Sequence, residues 1–173
     1  DKQDPENESM YQFILNGSAG TGKTTLITEI IKDPQLNNKK IALCATTNKA
    51  VSVIQKMYNI DSKNVSFSTI HKILKIKRVI NSDGSENFII NLDENPSGKY
   101  KTRSITYYDI IVIDEASMIS KDLVGELSKL SKRIKGKIIF VGDCFQLPPI
   151  NEEESLVFSV ISNCFTLNKV ILS

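Results

Sequence analysis

The stretch that most limits what this chain can become is residues 17–25, "GSAGTGKTT". It satisfies G-x-x-x-x-G-K-[ST], with Gly17 opening the pattern and Gly22, Lys23 and Thr24 closing it. Such a loop needs a buried strand to deliver it and a helix to leave it. The apolar run "YQFILNG" before it reads as that strand, and "KTTLITEIIKD" after it places Leu26, Ile27, Ile30 and Ile31 on one helical face. Glycines let backbone N–H groups turn inward around phosphate oxygens without side-chain clashes. The helix start adds the positive end of its dipole. Gly17, Ser18, Ala19, Gly20, Thr21, Gly22, Lys23, Thr24 and Thr25 are therefore the candidate nucleotide-binding residues. Lys23 is expected to reach the β and γ phosphates, and the Thr24 hydroxyl to hold Mg²⁺.

The rest of the chain repeats this rhythm. Pro34 and the asparagines after it end the first helix. "KKIALCAT" reads as a second buried strand and "NKAVSVIQKMY" as a second amphipathic helix with Asn48 as its cap. "DIIVIDE" and "KIIFVGD" are further apolar runs, each ending in acid. Continuous rather than alternating runs belong to strands covered on both faces, so a parallel sheet flanked by helices is expected. The segment 75–108 breaks the rhythm. "SDGS" between "KIKRVIN" and "ENFIINL" signals a hairpin, and "NPSGK" a polar loop, so this part reads as an insertion projecting from the sheet.

Composition narrows the setting. A net charge of +2 over 173 residues announces no polyanion by itself, but from 39 to 103 twelve Lys or Arg stand against five Asp or Glu. Either a solvated basic surface or an anion-facing one fits that excess. Three cysteines without a C-x-x-C pair argue against a disulfide framework or a zinc site, and Cys44 in "KIALCAT" reads as a small core residue. With no membrane-spanning run and no signal peptide in "DKQDPENES", the chain is expected to be soluble and intracellular.

Two acidic tips carry chemistry. In "IIVIDEAS", Asp114 at the end of a buried strand beside the loop would hold Mg²⁺ through water, and Glu115 would polarise a water for attack on the γ phosphate. In "VGDCFQLPPI", Asp143 ends a strand, and Gln146 follows on a loop stiffened by Pro148 and Pro149. An uncharged amide there can hydrogen-bond a γ phosphate and report its loss. Lys23, Glu115 and Gln146 are thus the candidate catalytic residues, Asp143 joins the nucleotide-binding set, and Thr24 with Asp114 is the candidate metal pair.

The ordered motifs resemble those of the first motor domain of superfamily 1 DNA helicases of the RecD and Dda type. "GSAGTGKTT" resembles the Walker A loop and "ATTNKAV" the motif written A-P-T-x-x-A-A. "FSTIHKIL" resembles the T-I-H segment, "IDEASMI" Walker B, and "GDCFQLPP" the G-D-x-x-Q-L-P-P motif. The resemblance implies a RecA-like P-loop NTPase fold over residues 1–173 with 75–108 as a pin-like insertion. It implies ATP and Mg²⁺ as cofactors, translocation 5′ to 3′, and contact of Thr46, Asn48, Lys49, Thr69 and His71 with single-stranded DNA. Hydroxyls and lysines hold phosphates without reading sequence, and an imidazole can stack on a base. His71 also reads as a locally packed helix-start histidine. Phe88 on the hairpin reads equally as a stacking wedge or as packing.

Three departures accompany the resemblance. No glutamine-bearing adenine-recognition helix precedes Gly17. Leu172 stands where the family places a phosphate-contacting arginine in L-T-x-x-x-R. A second motor domain of the same chain, with its arginine finger, is expected beyond residue 173. These residues alone are therefore expected to bind nucleotide weakly, hydrolyse it slowly and not unwind DNA. The whole protein is expected to be a monomer in the cytoplasm or with the nucleoid or replication machinery. A nucleotide switch or assembly ATPase without strand separation is the alternative, and a bare single-stranded DNA binder a third reading.

Overall fold

The computed structural model describes residues 12–80, 86–90, 103–130, 133–149 and 152–169, without the side chains of 78, 79 and 86–89. In chain order the elements are β1 (Gln12–Gly17), α1 (Lys23–Ile31), β2 (Ile41–Ala45), α2 (Asn48–Tyr58), β3 (Val65–Thr69) and α3 (Ile70–Ile73). They continue with β4 (Ile76–Ile80), β5 (Glu86–Ile90), β6 (Ile110–Ile113), α4 (Lys121–Leu130), β7 (Lys137–Gly142), α5 (Leu156–Val160) and β8 (Cys164–Leu167). Six strands form one sheet in the order β3-β2-β6-β7-β1-β8, and every pair in it is parallel. This is the parallel sheet flanked by helices that the apolar runs predicted, and it fits the RecA-like fold that the resemblance implied.

Side chains alternate between the two faces of the sheet. On one, Leu15, Leu43, Val112 and Val141 pack with Ile27 and Ile31 of α1 and with Ile54 and Tyr58 of α2. On the other, Ile14, Ile111, Ile113 and Phe140 pack with Ile70 and Ile73 of α3 and with Leu123 and Leu127 of α4. Each such side chain contributes about 1.5–3 kcal/mol when fully removed from water, so both helical layers are held by apolar burial.

Several expectations are corrected. Ile30 lies 40% exposed, so the buried stripe of α1 is narrower than its sequence suggests. Thr47 rather than Asn48 caps α2, its side chain accepting the Ala50 N–H at 3.1 Å. α1 ends at Ile31, and Pro34 opens a separate 3-10 turn, Pro34–Leu36, capped by Asp33. β3 and β8 were not legible as strands, because "VSFST" and "CFTL" are short and half polar. The strand of Asp114 is not the sheet neighbour of the loop strand, because β7 is hydrogen-bonded between β6 and β1.

β4 and β5 pair antiparallel as a separate ribbon, with Arg78 opposite Phe88. The "SDGS" turn, the "NPSGK" loop, the side chain of Phe88 and Leu172 lie outside the described residues. Among the described residues no helix is long and apolar enough to cross a membrane. The cysteines are free, with Cys44 buried and Cys144 and Cys164 exposed.

Candidate functional site

Parallel strands put all their C-terminal ends on one edge, and the candidate residues collect there. The loop between β1 and α1 is shaped by its glycines. Gly20 (φ 78°) and Gly22 (φ 87°) lie in the left-handed region that side chains resist. A Cβ on Gly17 would come within 2.6 Å of Thr21 Oγ1. Thr21 is buried, and its hydroxyl donates to the Ser18 carbonyl at 2.8 Å. Thr21 therefore braces the loop from inside, while Ser18, Ala19 and Gly20 stay exposed. The Lys23 ammonium donates to the carbonyls of Gly17 and, at 3.0 Å, Ser18, and so holds its charge at the loop. Thr24 and Thr25 occupy the first turn of α1, half-buried and exposed respectively.

Asp114 leaves β6 with both carboxylate oxygens engaged. Oδ1 accepts the Glu115 N–H at 2.8 Å, and Oδ2 accepts the Tyr58 hydroxyl at 3.1 Å. Burial raises its pKa, while these two donors and the charge of Lys23 oppose the rise. Tyr58 itself is 2% exposed, and its pKa is raised by burial and by the Asp114 charge. Nothing in the sequence pattern pointed to Tyr58, which sits at the far end of α2.

Glu115 is exposed and takes a left-handed backbone (φ 55°). That conformation costs a non-glycine residue about 1–2 kcal/mol, and such outliers gather at functional sites. Thr24 and Asp114 offer oxygen donors of the kind Mg²⁺ accepts alongside phosphates and water. Among the described residues no cluster of three His, Cys, Asp or Glu forms a separate metal cage.

The turn after β7 presents the remaining candidates. Asp143 is buried, and its Oδ1 accepts the Phe145 N–H at 3.0 Å, so its carboxylate shapes the turn. Gln146 is exposed, and its Oε1 accepts from Ser117 Oγ at 3.5 Å. Ser117 is buried just beyond Glu115, so the amide leans toward the acidic strand end. Asn16, another residue the sequence did not signal, ties this turn to the phosphate loop. Its Oδ1 accepts the Cys144 N–H at 2.9 Å, and its Nδ2 donates to Cys144 Sγ at 3.3 Å.

The candidate DNA residues lie at the ends of β2 and β3, on the same edge. Asn48 and Lys49 are exposed, and Thr46 is half-buried. Asn48 Oδ1 accepts from Lys72 Nζ at 2.9 Å, which cross-links the two motifs. His71 is solvent-accessible, yet partial burial of its ring lowers its pKa. Thr69 differs from the surface contact expected of it. It is buried, and its hydroxyl caps α3 by accepting the Lys72 N–H at 3.3 Å. Lys72 is the cation in this group that sequence reasoning passed over.

A phosphate loop on an interior parallel strand, with acidic strand ends along the same edge, defines a RecA-like P-loop NTPase domain. Residues 7–152 match the family model described as an AAA domain, and the chain belongs to that family. It is 37% identical to the uncharacterized protein R530 of Acanthamoeba polyphaga mimivirus, over 92% of this chain and 33% of that one. It is 35% identical to RecBCD enzyme subunit RecD of Buchnera aphidicola, over 84% of this chain and 24% of that one. Its fold matches the crystal structure of Pif1 helicase from Candida albicans with a TM-score of 0.59 at 24% identity, covering 95% of this chain and 39% of that one. The chain thus spans a third or less of the length of these two curated relatives.

Proposed function

We propose that this chain is the ATP-binding motor domain of an ATP-dependent DNA helicase that moves 5′ to 3′ along single-stranded DNA. The observation that carries the reading is the shared sheet edge. Lys23, Thr24, Asp114, Glu115 and Gln146 stand at its nucleotide end, and Thr46, Asn48, Lys49, His71 and Lys72 at the other. One edge bearing both sets is what a protein needs if phosphate loss is to alter its grip on a polyanion.

In this reading the loop N–H groups and Lys23 hold the phosphates, with Lys23 exchanging its loop carbonyls for phosphate oxygens. Thr24 and Asp114 would hold Mg²⁺, which would supply charge neutralisation at the phosphates. Glu115, exposed and held outward by its backbone, takes a proton from water, and Gln146 hydrogen-bonds the γ phosphate. A second RecA-like domain of the same protein would close over this edge and bring an arginine, a contribution of about 10³–10⁵ in rate in comparable phosphoryl transfers. An intracellular setting follows from the substrate.

The test is ATP turnover by the full-length protein with and without single-stranded DNA. Strong stimulation is expected, and Glu115→Gln should lower it by about 10²–10⁴-fold while nucleotide still binds. DNA-independent turnover would favour a switch ATPase, and no turnover a DNA binder. Stimulated turnover intact in Glu115→Gln would remove Glu115 from the catalytic role.

A further inference from the structure

We propose that Tyr58 is a positioning residue for the Mg²⁺–nucleotide site, its buried phenol orienting the Asp114 carboxylate from behind. The proposal rests on the reading of Thr24 and Asp114 as the metal pair. Tyr58 ends α2 as one of its buried residues, in the apolar cluster that also holds Ile54 of its own helix and the strand residues Leu43 and Val112. Phenylalanine would fill that space equally well, and a buried hydroxyl is unfavourable unless it is bonded. This one is bonded, to Asp114 Oδ2 at 3.1 Å.

Proton counting fixes the direction of the bond. An ionised carboxylate only accepts, whereas a phenol has one proton to give and lone pairs that accept. Tyr58 therefore donates its proton to Asp114 Oδ2. The Glu115 N–H on Asp114 Oδ1 fixes the other half of the carboxylate. Partners that orient metal ligands from behind act in this way, and losing one costs about 10–100-fold in metal affinity.

The test is binding of a fluorescent ATP analogue to the full-length protein, titrated with Mg²⁺ and repeated in EDTA. For Tyr58→Phe we expect the Mg²⁺ half-saturation point to rise about 10–100-fold, with affinity in EDTA unchanged. A melting temperature that falls while the Mg²⁺ half-point stays at the wild-type value would overturn the proposal, leaving Tyr58 a core residue only. Fluorine-19 spectra of protein carrying 3-fluorotyrosine, assigned by substituting the other tyrosines, test the claim without changing Tyr58. Its signal should shift when Mg²⁺ joins ADP and not when ADP is added in EDTA, and an unmoved signal would overturn the proposal. A wild-type protein whose nucleotide affinity ignores Mg²⁺ would overturn the underlying reading of the site, a result distinct from a failed Tyr58→Phe.

Discussion

Asp114 is held against its own solvation. Burial raises its carboxyl pKa, and only the Glu115 N–H, the Tyr58 hydroxyl and the Lys23 charge offset that. A carboxyl whose pKa is raised by folding contributes stability that is present below the unfolded value and lost as pH rises through the folded one. At neutral pH the ionised group is therefore a burden on the apo fold. Asp114→Asn removes the charge and leaves a carbonyl to accept the Glu115 N–H, while the Tyr58 hydroxyl can accept from the new amide. Thermal melts of the apo protein at pH 7 should show an unchanged or higher midpoint, with Mg²⁺-dependent turnover lost. A large fall in the midpoint would mean that the charge is stabilising. Glu115 makes the same exchange in its backbone, since its left-handed φ gives up stability where the chain turns into the site.

At the scale of elements, the caps that start α2 and α3 also build the candidate DNA surface. Thr47 and Thr69 each accept an N–H from the first turn that follows. Those caps turn the chain so that Asn48 and Lys72 meet at 2.9 Å. His71 on α3 has a lowered pKa, so it is neutral at pH 7.5, and its contact with DNA should be stacking rather than charge. His71→Phe should then retain single-stranded DNA affinity at pH 7.5, and His71→Ala should lose about 1–3 kcal/mol, both read by fluorescence anisotropy of a labelled oligonucleotide. Equal affinity of the alanine variant and wild type would remove His71 from the surface. As pH falls through the lowered pKa, the ring charges and binding should tighten. The stability contributed by the neutral ring is lost over that same descent.

For the molecule as a whole, one sheet separates two apolar layers that share no side chains. Ile27 of α1 and Ile73 of α3 are both buried, on opposite faces. Truncating either to Ala should cost about 2–5 kcal/mol. Because the sheet lies between them, the costs should add within about 0.5 kcal/mol, as urea titrations of the single and double variants would show. A cycle that departs widely from additivity would mean that the sheet transmits strain between its faces. The strand order has a functional consequence as well. With β7 between β1 and β6, the turn bearing Gln146 emerges between the phosphate loop and Asp114. A side chain that leans on Ser117 and a turn tied to Asn16 are thereby placed to sense both.

The sequence alone determined whatever depends on a few adjacent residues. The phosphate loop follows from glycine's freedom at positions 20 and 22 and from the close approach at 17. The apolar runs of β1, β2, β6 and β7 required a covered sheet, and the Asp-Gly pair announced the hairpin. Caps were half legible, because Thr47 and Asn48 are both good cap residues and only the backbone dihedrals choose between them. Tertiary structure decided what joins distant positions. Tyr58 reaches Asp114 across 56 residues, and Asn16 reaches Cys144 across 128. Neither pairing leaves a periodicity or a spacing to read. Thr69 looked like a surface contact, and folding buried it as a cap. The reason is physical: loop and strand preferences are set by local sterics and side-chain pattern, whereas strand order and buried polar partners exist only once the sheet has closed.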